Sequence, residues 1–143
     1  MFADFLLRLA APSAPLPEPD ARLALAALLV RIARADNQYA AAEVAQIDRV
    51  LRTRYGLDAP AAAALRGEAE ALEAEAPDTV RFTRAIKEAV PYDDRLGVIG
   101  AMWSVVLADG GRGDEENALM RLAASLLGVS DRDSALARQQ VAR

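Results

Sequence analysis

Cysteine and histidine are both absent from this 143-residue chain, and the two absences exclude several kinds of chemistry. Without cysteine there is no disulfide, no thiolate zinc site and no cysteine nucleophile. Without histidine there is no Ser-His-Asp arrangement and no haem held by an imidazole. Any bound metal must therefore use oxygen ligands, which favours Ca²⁺, Mg²⁺ or Mn²⁺.

Aromatic residues and lysine are also scarce. Aromatic side chains make up 5% of the chain and Lys87 is its only lysine, whereas the 53% hydrophobic fraction is rich in alanine and leucine. This composition favours closely packed helices, and no stretch alternates with period two for long enough to predict a strand. The net charge of −4 argues against a nucleic-acid partner, which requires a basic surface.

Long hydrophobic runs are missing as well. The longest near-apolar run, residues 96–108, is too short to cross a bilayer and predicts a central, buried helix. Within the first eleven residues, Asp4 and Arg8 interrupt the apolar stretch, which is atypical of a signal peptide. We therefore expect a cytoplasmic protein with no transmembrane segment.

Helical periodicity, together with proline and glycine, divides the chain into two parts. Residues 1–19 are a short amphipathic helix followed by a proline-rich linker. Residues 20–143 are expected to form one all-α domain, a compact bundle of about seven helices. The expected helices cover approximately residues 21–34, 41–54, 60–75, 79–90, 93–108, 115–127 and 130–142. Asp20 is the expected N-cap of the first of them.

Two further groups of side chains have a structural interpretation. The N-terminal helix carries apolar residues at helical spacing, namely Phe2, Phe5, Leu6 and Leu9. We expect this helix to pack on the domain itself; a membrane surface and a partner groove are the alternatives. The third helix of the domain carries a row of glutamates that we expect to be solvated, namely Glu68, Glu70, Glu73 and Glu75.

Two stretches of the chain match when one is laid over the other. Each runs from an apolar helix through Ala-Asp, a six-residue gap and Glu into a second apolar helix that ends near a glycine. The matching residues are Asp36, Glu43 and Gly56 in the first copy and Asp109, Glu116 and Gly128 in the second. The aspartates and the glutamates are each 73 residues apart, which indicates an internal repeat.

The repeated acids have two possible roles. Asp36 and Asp109 follow a helix C-terminus, where the helix dipole disfavours an anion, whereas Glu43 and Glu116 lie near a helix start. Their carboxylates and nearby backbone carbonyls are suitable oxygen ligands for a hard cation. Alternatively, the aspartates are turn residues and the glutamates are helix-start residues. The residues leave both roles open, and neither loop follows the EF-hand ligand pattern.

The repeated loops, together with residues 81–84 (Arg-Phe-Thr-Arg) and 126–131 (Leu-Leu-Gly-Val-Ser-Asp), resemble the tellurite-resistance TerB-like family. The resemblance covers approximately residues 20–140. It implies a compact all-helical domain with an internal pseudo-twofold repeat, and a link to tellurite and other chemical stress. Asn37 stands where the family usually has glycine, and asparagine can still adopt the left-handed conformation.

The resemblance also implies ligands and partners. The family's acidic surface is linked with divalent cations, and its acidic positions fall on Asp36, Glu43, Asp109 and Glu116. The family is also linked to membrane-associated stress complexes, which implies a protein partner and a place in the cytoplasm or peripherally at the inner membrane.

Three functions remain in competition. The first is a non-enzymatic stress-response module that binds Ca²⁺, Mg²⁺ or Mn²⁺ on its acidic loops, uses no organic cofactor and docks a partner protein. The second is a plain helical interaction or scaffold domain with no metal site. The third, a carboxylate-only enzyme, ranks last because the chain has no distinctive nucleophile or phosphate loop. The oligomeric state is left open.

Overall fold

The computed structural model describes residues 18–76, 78–108 and 113–142, and these residues form seven α-helices and no strand. The helices are α1 Glu18–Arg34, α2 Ala41–Tyr55, α3 Ala59–Glu75, α4 Val80–Ala89, α5 Tyr92–Val106, α6 Asp114–Leu126 and α7 Asp131–Val141. The expected all-α class and the expected helices of the domain are confirmed. The expected helix at residues 2–10 and the proline-rich linker that follows it lie outside the described residues.

Side-chain caps fix the starts of two helices. The Asp58 carboxylate accepts a hydrogen bond from the Ala61 N–H at 2.9 Å, and the Ser130 hydroxyl accepts one from the Asp133 N–H at 3.1 Å. Each bond satisfies a backbone donor that has no partner within the helix. The prediction that Asp20 caps the first helix is wrong, because α1 already begins at Glu18. Proline is tolerated in a first helical turn, so Pro19 does not delay this start.

Two glycines allow the chain to turn after α2 and α6. Gly56 and Gly128 have φ angles of 64° and 74°, a left-handed conformation that costs glycine little. These are the closing glycines of the two sequence copies, so this local feature recurs in both. The pseudo-twofold relation between the two halves stays a prediction.

Helix α1 lies at the centre of the bundle. It contacts α2, α3, α4, α5 and α6, and residues 24–30 are all buried, as are Ile32 and Ala33. The many alanines in α1 allow neighbouring helices to approach closely. The prediction of a buried helix at residues 96–108 is largely confirmed. Helix α5 contacts five other described helices and buries Val98, Ile99, Met102, Trp103, Val105 and Val106, while Gly97 on its outer side is exposed. Glycine and alanine count toward the apolar run 96–108, but their small side chains lose little when they are exposed to solvent.

Helix α7 packs mainly across α5. The indole N–H of Trp103 donates a 3.1 Å hydrogen bond to the Ser134 hydroxyl, and both residues are buried. The Arg138 guanidinium lies 5.4 Å from the centroid of the Trp103 ring. A polar contact and a cation–π contact therefore fix α7 against the rest of the bundle.

None of the helices in the described part of the chain has the length and apolar character needed to cross a membrane.

Candidate functional site

The first acidic loop joins α1 to α2. The Asp36 carboxylate accepts a hydrogen bond from the Gln38 N–H at 2.9 Å, which closes a local turn. Asn37 has a φ angle of 63°, so the expected left-handed conformation at this position is confirmed. Its N–H donates to the Arg34 carbonyl at 2.9 Å. Asp36, one of the predicted ligands, therefore stabilises the turn of this loop, and its side chain is half-buried.

Glu43 and Glu116 occupy matching positions, each the third residue of its helix. A carboxylate oxygen of Glu43 accepts from the Ala40 N–H at 3.0 Å, and one of Glu116 accepts from the Gly113 N–H at 3.1 Å. Both side chains are almost completely buried, with exposures of 0% and 1%. Since alanine and glycine have no side-chain acceptor, only the carboxylate half of a capping box forms at each helix start.

The second acidic loop is only partly described, because Asp109 lies outside the described residues. Within residues 18–76, 78–108 and 113–142, no three acidic side chains are grouped so that they could hold a metal ion. The metal-binding role predicted for the four repeated acids stays a prediction; these acids are Asp36, Glu43, Asp109 and Glu116. What the structure does show is that the two glutamates recur in the same local geometry.

A polar network that the sequence did not reveal attaches the first loop to α3. The Tyr39 hydroxyl donates to the Glu70 carboxylate at 2.8 Å, and Arg66 bonds to Glu70 at 3.1 Å and to Asp48 at 2.6 Å. Burial, followed by the hydrogen bond to Glu70, raises the pKa of Tyr39. The hydrogen bond to Asp48 is the main cause that raises the pKa of Arg66. The spacing of Arg66 and Glu70 indicates one of these contacts, but nothing in the sequence links Tyr39 to Glu70.

A second group of contacts joins α1 to the end of α3. Arg31 and Arg34 form ion pairs with Glu73 at 3.0 Å and 2.8 Å, and Arg31 also donates to the Ala76 carbonyl at 2.7 Å. The glutamate row of α3 was expected to be solvated, and for Glu70 and Glu73 this is wrong. Their side chains are only 26% and 12% exposed, because arginines of α1 and α3 cover them.

A groove of about 810 Å³ runs along the outer side of α5, between α2 and α7; we call it the α5 groove. Its floor is made of small residues of α5, namely Gly97, Gly100, Ala101 and Ser104. The Gln46 amide donates to the Ser104 hydroxyl at 3.1 Å. The Tyr92 hydroxyl donates to Asp133, a residue of the groove lining, at 2.6 Å. The glycine spacing in α5 is the sequence signal that such a concave face leaves.

Comparison with known protein families gives a match over most of the chain. The model of the family described as tellurite resistance protein TerB matches residues 22–139, which is most of the chain. No curated protein and no solved structure matches the chain. The matched range includes all the described helices that surround α1, and both acidic loops. The chain therefore belongs to the TerB family.

Proposed function

We propose that this protein is a non-enzymatic stress-response module that holds a divalent cation on its acidic loops and docks a partner protein. Membership of a family described as tellurite resistance protein supports the link to tellurite stress. The partner in a membrane-associated complex, and the wider chemical stress, are what the resemblance implies. The cation is Ca²⁺, Mg²⁺ or Mn²⁺, since the chain offers only oxygen ligands. Its proposed ligands are Asp36, Glu43, Asp109 and Glu116.

The observation that carries the cation proposal is the burial of Glu43 and Glu116. Removing a carboxylate from water costs several kcal/mol unless other contacts compensate for the lost hydration. Here the same buried carboxylate occurs twice, next to a loop with a further acid at its other end. A cation held between the two ends of each loop would add to the contacts that these carboxylates already make, and would stabilise the fold by mass action.

A second candidate is a plain helical docking domain with no metal site. It is favoured by the hydrogen bonds that the acids already make: Asp36 closes a turn, and Glu43 and Glu116 cap helices. On this view the acids are retained in both copies because both loops need the same turn. The two candidates differ in one measurable property, which is saturable cation binding.

Isothermal titration calorimetry of the chelator-treated protein separates the candidates. Ca²⁺, Mg²⁺ and Mn²⁺ are titrated in turn into the wild type and into Asp36→Ala and Asp109→Ala. We expect saturable binding that is lost in Asp109→Ala and weakened in Asp36→Ala. Asp58→Ala is the matched control, because Asp58 is also a loop acid at a helix start but belongs to neither repeated loop.

Two results would decide against the cation. One is the absence of saturable binding up to ~1 mM ion, the weak end of the range for protein calcium sites. The other is binding that Asp58→Ala weakens as much as Asp109→Ala does, since this reflects general surface charge. Either result leaves the helical docking domain as the function.

A further inference from the structure

The α5 groove has apolar walls that are exposed. Leu136 and Val141 of α7 are 45% and 38% exposed, although both are large apolar residues. Val50 of α2 and Leu96 of α5 also line the groove. Burial of such side chains is favourable in proportion to the apolar area removed from water. This face therefore has the chemistry of a surface that another apolar segment covers.

The shape of the α5 groove suits a helix. Its floor consists of glycine, alanine and serine at i, i+3, i+4 and i+7 along α5, so a second helix can approach the α5 backbone closely. The lining reaches from Asp93 to Ser104, a length of roughly 17 Å at the rise of an α-helix. A nine-residue helix is about 14 Å long and fits within it.

The start of α1 lies next to this groove. The Arg22 guanidinium stacks over the Tyr55 ring at 4.7 Å, which places the beginning of α1 beside the end of α2. Thr53 and Arg54, immediately before Tyr55, line the groove. The start of α1, to which residues 1–17 are joined in the sequence, therefore lies at this end of the groove. Seven linker residues, 11–17, span up to about 20 Å in the extended form that proline favours.

Residues 2–10 provide the complementary surface. Phe2, Phe5, Leu6 and Leu9 fall at i, i+3, i+4 and i+7, which forms one apolar stripe on a helix. We propose that residues 2–10 pack as a helix into the α5 groove of the same molecule. The short linker keeps the segment at a high effective concentration near the groove, so the intramolecular contact is favoured over capture of a second copy.

Paramagnetic relaxation enhancement in the full-length protein tests this proposal. Since the chain has no cysteine, a nitroxide on Gln140→Cys is a unique label in the groove wall. We expect this label to broaden the amide resonances of residues 2–10. A label on Glu75→Cys, an exposed position on α3, which does not line the groove, is expected to leave them sharp.

Variants of each surface complete the test. Phe5→Ser combined with Leu6→Ser is expected to abolish the broadening, whereas Asp4→Asn, on the same segment, retains it. Gly100→Phe fills the groove and is expected to release the segment. A Cβ at this glycine meets only the Val141 side chain at 3.8 Å, an ordinary contact, so the helix itself tolerates the change.

Three outcomes would overturn the proposal. The first is no broadening from the Gln140→Cys label, and the second is equal broadening from both labels. The third is broadening that appears when isotope-labelled wild type is mixed with unlabelled, nitroxide-bearing protein, because it assigns the groove to a second copy. The test uses no cation, so its failure leaves the cation proposal standing.

Discussion

At the scale of single residues, Ala40 and Gly113 decide how Glu43 and Glu116 act. A usual N-cap residue supplies a side-chain oxygen, but alanine and glycine supply none. The glutamate three residues later then provides the side-chain part of the cap at each helix start, through its bond to the backbone N–H of the cap residue. Substitution of Glu43 or Glu116 is therefore expected to weaken its helix start more than substitution in a capping box whose N-cap side chain also forms a hydrogen bond.

Substitution of Glu43 measures this capping role. We expect Glu43→Ala to lower the free energy of unfolding by about 1–3 kcal/mol, the cost of leaving the half-buried Ala40 N–H without its acceptor. Glu43→Gln keeps an acceptor oxygen and is expected to cost less. Urea unfolding followed by circular dichroism gives both values. Equal losses in the two variants would show that the charge, and not the acceptor, is what this position requires.

Because of Tyr39, the stability of the fold is expected to fall as the pH rises in the alkaline range. Its pKa in the folded protein is raised above the unfolded value of about 10, so the folded state retains the proton more tightly. The resulting stability is complete below pH ~10 and is lost as the pH rises through the folded-state pKa. We expect the urea midpoint to fall as the pH rises above ~10 in the wild type, and to fall less in Tyr39→Phe.

Tyr92→Phe is the control for this measurement. The hydrogen bond to Asp133 raises the pKa of Tyr92 as well, but this tyrosine lies on the surface. Water screens its contact, so its removal is expected to change the pH dependence only slightly. If Tyr39→Phe lost as much stability at alkaline pH as the wild type does, the Tyr39–Glu70 contact would have no part in the effect.

At the scale of helices, the sequence predicted starts and ends well because local chemistry sets them. Asp58 and Ser130 are caps whose partners lie three residues away, and Gly56 and Gly128 are conformationally required. Asp20 was wrongly predicted to be the N-cap of α1. In the sequence, a proline inside the first helical turn cannot be told apart from a proline that precedes the helix. Contacts between helices, such as Arg31 with Glu73, escaped prediction because they depend on helix packing.

Two glycines in different conformations are expected to respond oppositely to alanine. Gly67 is exposed within α3, and a Cβ there meets no atom within 4 Å, so Gly67→Ala is expected to stabilise by about 0.8–1 kcal/mol. Gly56 has a φ angle of 64°, which costs an L-residue roughly 1–2 kcal/mol, so Gly56→Ala destabilises. Thermal unfolding of both variants checks the signs; two changes of the same sign would contradict the assigned conformations.

At the scale of the whole molecule, one core surrounds α1 and includes side chains from every other described helix. Leu28 is 0% exposed at its centre. We expect Leu28→Ala to cost about 2–5 kcal/mol, with unfolding curves from circular dichroism and from Trp103 fluorescence that still coincide. Leu122→Ala is the matched control, since Leu122 is 48% exposed and should cost no more than ~0.5 kcal/mol.

The candidate sites were predicted to different degrees. The internal repeat in the sequence identifies Glu43 and Glu116 as matching positions, and the structure places both at matching helix starts. Their burial was not predictable, because it depends on how the helices pack around the loop ends. The α5 groove was also missed, since α5 has an apolar composition nearly all round and only the packing of α2 and α7 leaves one of its faces uncovered.

The order of the helices has a consequence for how the chain folds during its synthesis. Every described helix that contacts α1 follows it in the chain, so the ribosome delivers the central helix before these partners. At a synthesis rate of ~5–20 residues per second, α6 is completed roughly 5–20 s after α1. During that time the apolar surface of α1 is only partly covered, so the nascent chain exposes apolar side chains that the finished protein encloses.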